Sequence, residues 1–343
     1  MPKKYGKKGL AAEEALRGYF LNTGYFVVRS IPLNYKNYDV TDIDLWLYIR
    51  ASSISRERTC VDVKHKRTPQ AMERVLWTKG LIGILDVEHA IVATMDNRKE
   101  TRDFGKDNGV MVFHGEFLRR VINRFPPKTR ITEEELFTTL SAPCVIDSKL
   151  DWRRWYQNLK TMLINRLNFD GCNQFLLAIK LLFREYLVTM KSSDIPVRLL
   201  YMIIAYFLIS LDYVSRTVTS LDMDARRAWL TDGLRFGETG RARTEEIITM
   251  AQRLLAESGK TNLFSHPELK NEFERQMEDY PAEILGEHFA KLESLKNLFN
   301  LAKIFEDQAY TRVLVRPECC SSDMKAVIGL FCDFLKIDRK KII

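Results

Sequence analysis

The 343-residue sequence lacks the patterns that mark several classes of protein. Its six cysteines and five histidines show no metal-finger spacing, which excludes a zinc-finger protein, and the adjacent pair Cys319-Cys320 is a poor candidate for a disulfide. The basic opening, Met-Pro-Lys-Lys-Tyr-Gly-Lys-Lys, has no apolar segment and predicts no secretory signal. The most apolar run, Leu199 to Leu211, is shorter than the roughly 20 residues that span a bilayer. It predicts a buried core helix, and we expect a cytoplasmic protein without a membrane partner.

The net charge of +8 is distributed unevenly along the chain. Residues 1–130 contain 24 lysines and arginines against 15 aspartates and glutamates, whereas the remainder contains 29 against 30. All the excess positive charge therefore lies in the first part of the chain. A basic region of this kind favours a polyanionic partner such as a nucleic acid, although charge alone does not exclude a soluble basic domain.

The apolar patterns predict two regions of different fold class. Between residues 10 and 125 they indicate the order helix, three strands, helix, strand, helix, strand, helix. A meander that feeds a crossover implies a mixed sheet flanked by helices. After Pro126-Pro127, helical patterns dominate. We therefore predict an α/β domain over residues 1–128 and an all-α domain over residues 129–343, which would serve oligomerisation, substrate selection or regulation.

Individual segments carry further expectations. The helix from Thr68 to Leu85 begins at an N-cap residue followed by proline, and it should bury Met72, Val75 and Leu76. Trp46 and Trp77 are most simply core aromatics. The glycine- and arginine-rich segment 233–243 predicts an exposed loop, and helices are expected over residues 267–279 and 281–307.

Two strand-like runs each supply an acid. The first reads Thr41-Asp42-Ile43-Asp44-Leu45-Trp46, and the second Val61-Asp62-Val63-Lys64. Since positions i and i+2 of a strand share a face, Asp62 and Lys64 should emerge together while both valines face a core. If the two runs pair antiparallel, Asp44 reaches the same place. Two close carboxylates repel unless a cation lies between them, and their oxygens favour Mg²⁺ or Mn²⁺.

This order of elements and residues resembles the PD-(D/E)XK nucleases, which have the restriction-endonuclease-like fold, and most of all their Mrr-like branch. The resemblance covers about residues 9–125. On the first helix it rests on Glu13, with the apolar residues three, six and seven positions later and the pair Gly24-Tyr25. Asp44 matches the acid of the family's first acidic strand, and Asp62-Val63-Lys64 matches its acid-x-lysine strand. Asp62 stands where glutamate is more usual, and no proline precedes Asp44.

The resemblance implies a fold, an activity and a role for each matching residue. The fold is restriction-endonuclease-like, and the activity is Mg²⁺-dependent hydrolysis of phosphodiester bonds, with DNA favoured over RNA and a role in restriction or phage defence. Asp44 and Asp62 would hold the metal with the backbone carbonyl of Val63. Lys64 would orient the attacking water or stabilise charge on the phosphate. Glu13 would complete the site from the helix, and Gln70 would contribute from the helix that follows.

Several alternatives remain open from the residues alone. Asp44 and Asp62 could instead form structural ion pairs with lysines, and Glu14 could replace Glu13. The basic run after the motif, Lys66 and Arg67, could contact phosphate or simply be solvated. The whole chain could be a nucleic-acid-binding or scaffolding protein that does not cleave, or its helical part could be a sensor or partner-binding module. A homodimer through the helical region is also expected from the resemblance.

Overall fold

The computed structural model describes residues 7–36, 38–66, 70–189, 192–257, 275 and 280–343. In the first part of the chain, helices and strands follow one another in the predicted order. Their bounds are α1 Lys7–Asn22, β1 Phe26–Tyr35, β2 Tyr38–Arg50, β3 Arg56–Lys64, α2 Ala71–Leu85, β4 His89–Thr94, α3 Lys99–Asp107, β5 Met111–Phe113 and α4 Gly115–Arg124. Gly24, at φ 101°, lies in the left-handed region and follows the end of α1.

The five strands form one sheet in the order β1-β2-β3-β4-β5. The pairs β1–β2 and β2–β3 are antiparallel, and the pairs β3–β4 and β4–β5 are parallel. The connections through α2 and α3 allow the change of direction, because parallel neighbours need a crossover. The predicted mixed sheet flanked by helices is confirmed.

Both faces of the sheet are buried, which fits the strongly apolar strands. Leu45 and Leu47 of β2 belong to an apolar cluster with residues of α1 and α4. Trp46 and Tyr48 alternate with them and belong to a second cluster on the other face. The ends of the central strands are therefore fixed in place by packing on two sides.

The second part of the chain is helical, as predicted. The bounds are α5 Glu133–Thr139, α6 Trp152–Asn165, α7 Phe169–Val188, α8 Ile195–Ser215, α9 Met223–Phe236, α10 Gly240–Glu257, α11 Ala282–Ala290, α12 Leu292–Tyr310 and α13 Ser322–Phe334. The predicted apolar core helix is α8; its length and composition alone would suit a membrane span, but its apolar stretch is wholly buried inside the protein. It packs against α7 and α12.

The two regions share an apolar cluster and a buried carboxylate. The cluster that contains Trp46 on β2 continues through α8 to the C-terminal helix α13. Asp212 of α8 is fully buried and accepts hydrogen bonds from Tyr48 (2.6 Å), Arg50 (2.9 Å) and Arg56 (2.5 Å and 3.1 Å). The division at residue 128 remains a prediction, since these contacts cross it.

Some local expectations were wrong. Residues 233–243 are largely helical: α9 runs to Phe236, and α10 begins at Gly240 after a short 3-10 turn. On α2, Val75 is buried as expected, but Leu76 is 57% exposed and Trp77 is 42% exposed. This helix carries apolar residues on most of its circumference, so its inner face could not be read from the pattern.

The bounds of two predicted helical segments differ from the prediction or lie outside the described residues. The helix expected over residues 281–307 is two helices, α11 and α12, which meet at the extended residue Lys291. Thr68, Pro69 and most of the expected helix 267–279 lie outside the described residues.

Candidate active site

The register of β2 and β3 sets the position of the acidic residues. Leu45 lies opposite Val61 in the antiparallel ladder. Continuing that register by one residue places Asp44 opposite Asp62, where side chains of paired strands lie on one face. Val61 and Val63 pack into the cluster with α1, as their alternation with Asp62 and Lys64 predicts. The sequence therefore carries its charged residues to the end of two buried strands.

Asp44, Asp62 and Lys64 come together in the structure. The Nζ atom of Lys64 lies 3.4 Å from Oδ1 of Asp62 and 3.8 Å from Oδ2 of Asp44. Both carboxylates are buried, whereas the Lys64 side chain is 24% exposed. One ammonium thus contacts two buried acids, and it does so at a point that solvent reaches.

Asp44 is the most perturbed acid of this cluster. Burial raises its pKa to about 7, and the negative charges of Asp62 and Glu13 act in the same direction. Lys64 opposes the rise, as does the Val63 amide, which donates a hydrogen bond of 2.6 Å to Asp44. The structure therefore shows Val63 at the site through its N–H, and a role for its carbonyl remains a prediction.

Asp62 is held by a residue that sequence reasoning missed. Arg74, in the first part of α2, donates from Nε to Oδ2 of Asp62 at 2.9 Å and from Nη2 to Oδ1. Gln70, predicted at this position, is exposed at the N-cap of α2, and its amide donates to Glu73 at 3.2 Å. The available signal was the cost of a buried carboxylate, which requires a cationic partner on a neighbouring element.

The two glutamates of α1 have different neighbours. Arg29 of β1 contacts both, Glu13 at 2.7 Å and Glu14 through its other terminal nitrogen. Burial raises the pKa of Glu13; Arg29 opposes this, Glu134 adds to it, and Lys64 lowers it. Glu14 also contacts Arg17, which reaches Glu306 of α12 at 2.6 Å. Glu13 therefore lies on the side of Asp44 and Lys64, and Glu14 on the side of the helical region.

The remaining predicted contacts lie around this cluster. Lys66 is exposed, two residues beyond Lys64, and Arg67 lies outside the described residues. Their roles in binding remain predictions.

The donor atoms suit a hard divalent cation. Among the residues that the structure describes, no three His, Cys, Asp or Glu side chains form a ready ligand set. Two carboxylates nevertheless converge, and burial together with the neighbouring acid raises the pKa of Asp44. Carboxylate oxygens are the ligands that Mg²⁺ and Mn²⁺ prefer, so Asp44 and Asp62 fit such an ion as a pair.

Comparison of the whole chain with protein-family models, with curated proteins and with solved structures finds no match.

Proposed function

We propose that the chain is a Mg²⁺- or Mn²⁺-dependent nuclease with a restriction-endonuclease-like domain, acting on DNA. One observation carries the proposal: Asp44 and Asp62, from adjacent antiparallel strands, meet the Lys64 ammonium at a point that solvent reaches. The resemblance to PD-(D/E)XK nucleases supplies the reaction, and its link to restriction makes phage defence the proposed setting. The basic first region supplies the attraction for a polyanion.

Each residue has a proposed task. Asp44 and Asp62 would hold the cation, which when bound polarises the scissile phosphate and lowers the pKa of a water molecule. Lys64, with a quarter of its side chain exposed, would contact the phosphate or orient the attacking water. Glu13 is fixed by its ion pair with Arg29 and would accept a hydrogen bond from water at the cluster. Lys66 would contact the nucleic-acid backbone.

A cleavage assay tests the proposal. Supercoiled plasmid and single-stranded DNA are incubated with the full chain in Mg²⁺, in Mn²⁺ and in a chelator. Cleavage should require the metal and fall by about a hundredfold or more in Lys64→Ala and Asp62→Asn, because each removes charge from the reaction site. Lys79→Ala removes an exposed lysine of α2 and should retain full activity. A Lys64→Ala variant as active as the parent chain would defeat the assignment.

A second candidate is a nucleic-acid-binding or scaffolding protein that does not cleave. It is favoured by the pairing of two acids with arginines, Asp62 with Arg74 and Glu13 with Arg29, as in a structural ion cluster. Under this reading DNA binds with equal affinity in Mg²⁺ and in chelator, and no product forms. Binding by gel shift alongside the cleavage assay distinguishes the two functions.

A further inference from the structure

Arg74 forms an ion pair with Asp62, one of the two carboxylates that would bind the cation. Its guanidinium contacts both oxygens of Asp62, in the two-pronged geometry that makes arginine–carboxylate pairs strong. Lys64 lies 3.4 Å from one of these oxygens as well. Asp62 therefore has two cationic partners, whereas Asp44 has only Lys64 among its ion pairs in the described part of the chain.

Arg74 is the partner of Asp62 that solvent reaches from α2. Its side chain is 25% exposed, and it comes from α2, a different element from the strand that carries Asp62. The guanidinium lies 5.4 Å from the centre of the Trp77 ring, which is itself partly exposed. By contrast, Arg29 on Glu13 is completely buried. Of these two arginines, Arg74 is the one that a ligand entering from solvent would meet.

We propose that Arg74 is a positioning residue that competes with the divalent cation for Asp62. Without a cation it holds the carboxylate in place and neutralises it. When a cation binds, Arg74 gives up at least one of its two hydrogen bonds and turns towards solvent, where an incoming phosphate would meet it. This inference rests on the proposed function, since it assumes that Asp62 is a metal ligand.

Arg74 therefore weakens metal binding in the resting protein. Removing it leaves Asp62 with Lys64 alone and restores negative charge to the pair of acids. Mn²⁺ should then bind about tenfold more tightly, which corresponds to about 1.4 kcal/mol. A purely structural arginine would have the opposite effect, because its loss would disorder Asp62 and weaken the site.

The test is a calorimetric titration of the full-length protein with Mn²⁺ alone, in the absence of DNA. The variants are Arg74→Ala and Arg74→Met; methionine keeps an apolar stem beside Trp77 and decides the matter if the alanine variant does not fold. Lys79→Ala is the matched control, since it removes one positive charge from the same helix. Both Arg74 variants should bind Mn²⁺ about tenfold more tightly than the parent, and Lys79→Ala should bind as the parent does.

The same titration of a protein that carries Asp62→Asn shows whether Arg74 acts through Asp62. Asp62→Asn should by itself weaken Mn²⁺ binding, because it removes one of the two proposed ligands. Adding Arg74→Met to it should bring no tenfold gain, because the competition needs the Asp62 carboxylate. Equal or weaker binding by the Arg74 variants, with measurable binding by the parent, overturns this inference and leaves the proposed function standing. Absence of Mn²⁺ binding in the parent and in both Arg74 variants overturns the proposed function itself.

Discussion

Replacement of Asp212 by alanine tests how the sheet is joined to the helical region. Asp212 lies on α8 and is fully buried, and its carboxylate accepts four hydrogen bonds from Tyr48, Arg50 and Arg56 of the β2–β3 hairpin. The alanine variant leaves Arg56, whose side chain is 1% exposed, as a buried cation without its carboxylate. Such a group is costly, because water cannot replace the lost partner.

We expect Asp212→Ala to lower the free energy of unfolding by about 3–5 kcal/mol, the usual cost of breaking a buried ion pair. Summing four charge-assisted hydrogen bonds at about 1.5–3 kcal/mol each would overstate the loss. Arg50 is 13% exposed and can be hydrated, and Arg56 keeps a hydrogen bond of 2.7 Å to the Ser52 carbonyl. Because of these two compensations, the expected loss of stability is smaller than the sum over the four hydrogen bonds.

Urea unfolding by circular dichroism measures the free energy, and hydrogen exchange of peptides from β2 and α8 shows where it is lost. Both peptides should lose protection from exchange together, since Asp212 joins β2 to α8 and both elements belong to one apolar cluster. The control is Asp224→Ala. The Asp224 side chain is 86% exposed and its partner Arg227 is 52% exposed, so the substitution should lower the free energy of unfolding by less than about 0.5 kcal/mol. A loss below about 1 kcal/mol for Asp212→Ala, or loss of protection in one peptide only, would refute the reasoning.

Three further predictions concern packing and pH. Gly233→Ala should destabilise the protein in urea unfolding, since a Cβ there would overlap the Phe169 ring; unchanged stability would contradict this packing. Gly80→Ala, on an open face of α2, should instead stabilise it by about 0.5–1 kcal/mol, and a loss would show that this face is covered. Hydrogen bonds from Arg98 lower the pKa of Asp96 from 3.8 to about 2, so its stabilising contribution is present above the unfolded pKa and fades as pH falls towards 2. The stability gap between the parent and Asp96→Asn should narrow from about pH 4 to about pH 2, and a constant gap would contradict the assignment.

The sheet was predictable because its determinants are local. Alternating valines mark β3, and the paired runs around Asp44 and Asp62 need only an antiparallel register to bring both acids to Lys64. The structure has that register. The convergence of these three side chains therefore follows from the order of residues on two neighbouring strands.

The partners of the acids were not predictable in the same way. Arg74 lies on a helix whose apolar residues occupy most of its circumference, so the pattern did not show which side chains face β3. Segment 233–243 was misread because its glycines and arginines are typical of loops, whereas Gly233 is needed where α9 packs against Phe169. In both cases the deciding contact is with a distant segment, which composition does not reveal.

The choice between Glu13 and Glu14 depends on the helical region as well as on α1. Arg29 contacts both glutamates and also Glu134 of α5, at 3.0 Å. Because Arg29 is fully buried, its charge must be balanced by these acids together. Glu14 of α1 and Glu134 of the helical region therefore share the Arg29 charge with Glu13. Glu134, which lies beyond position 128, raises the pKa of Glu13, and this gives the helical region a direct physical connection to the acid on the side of Asp44 and Lys64.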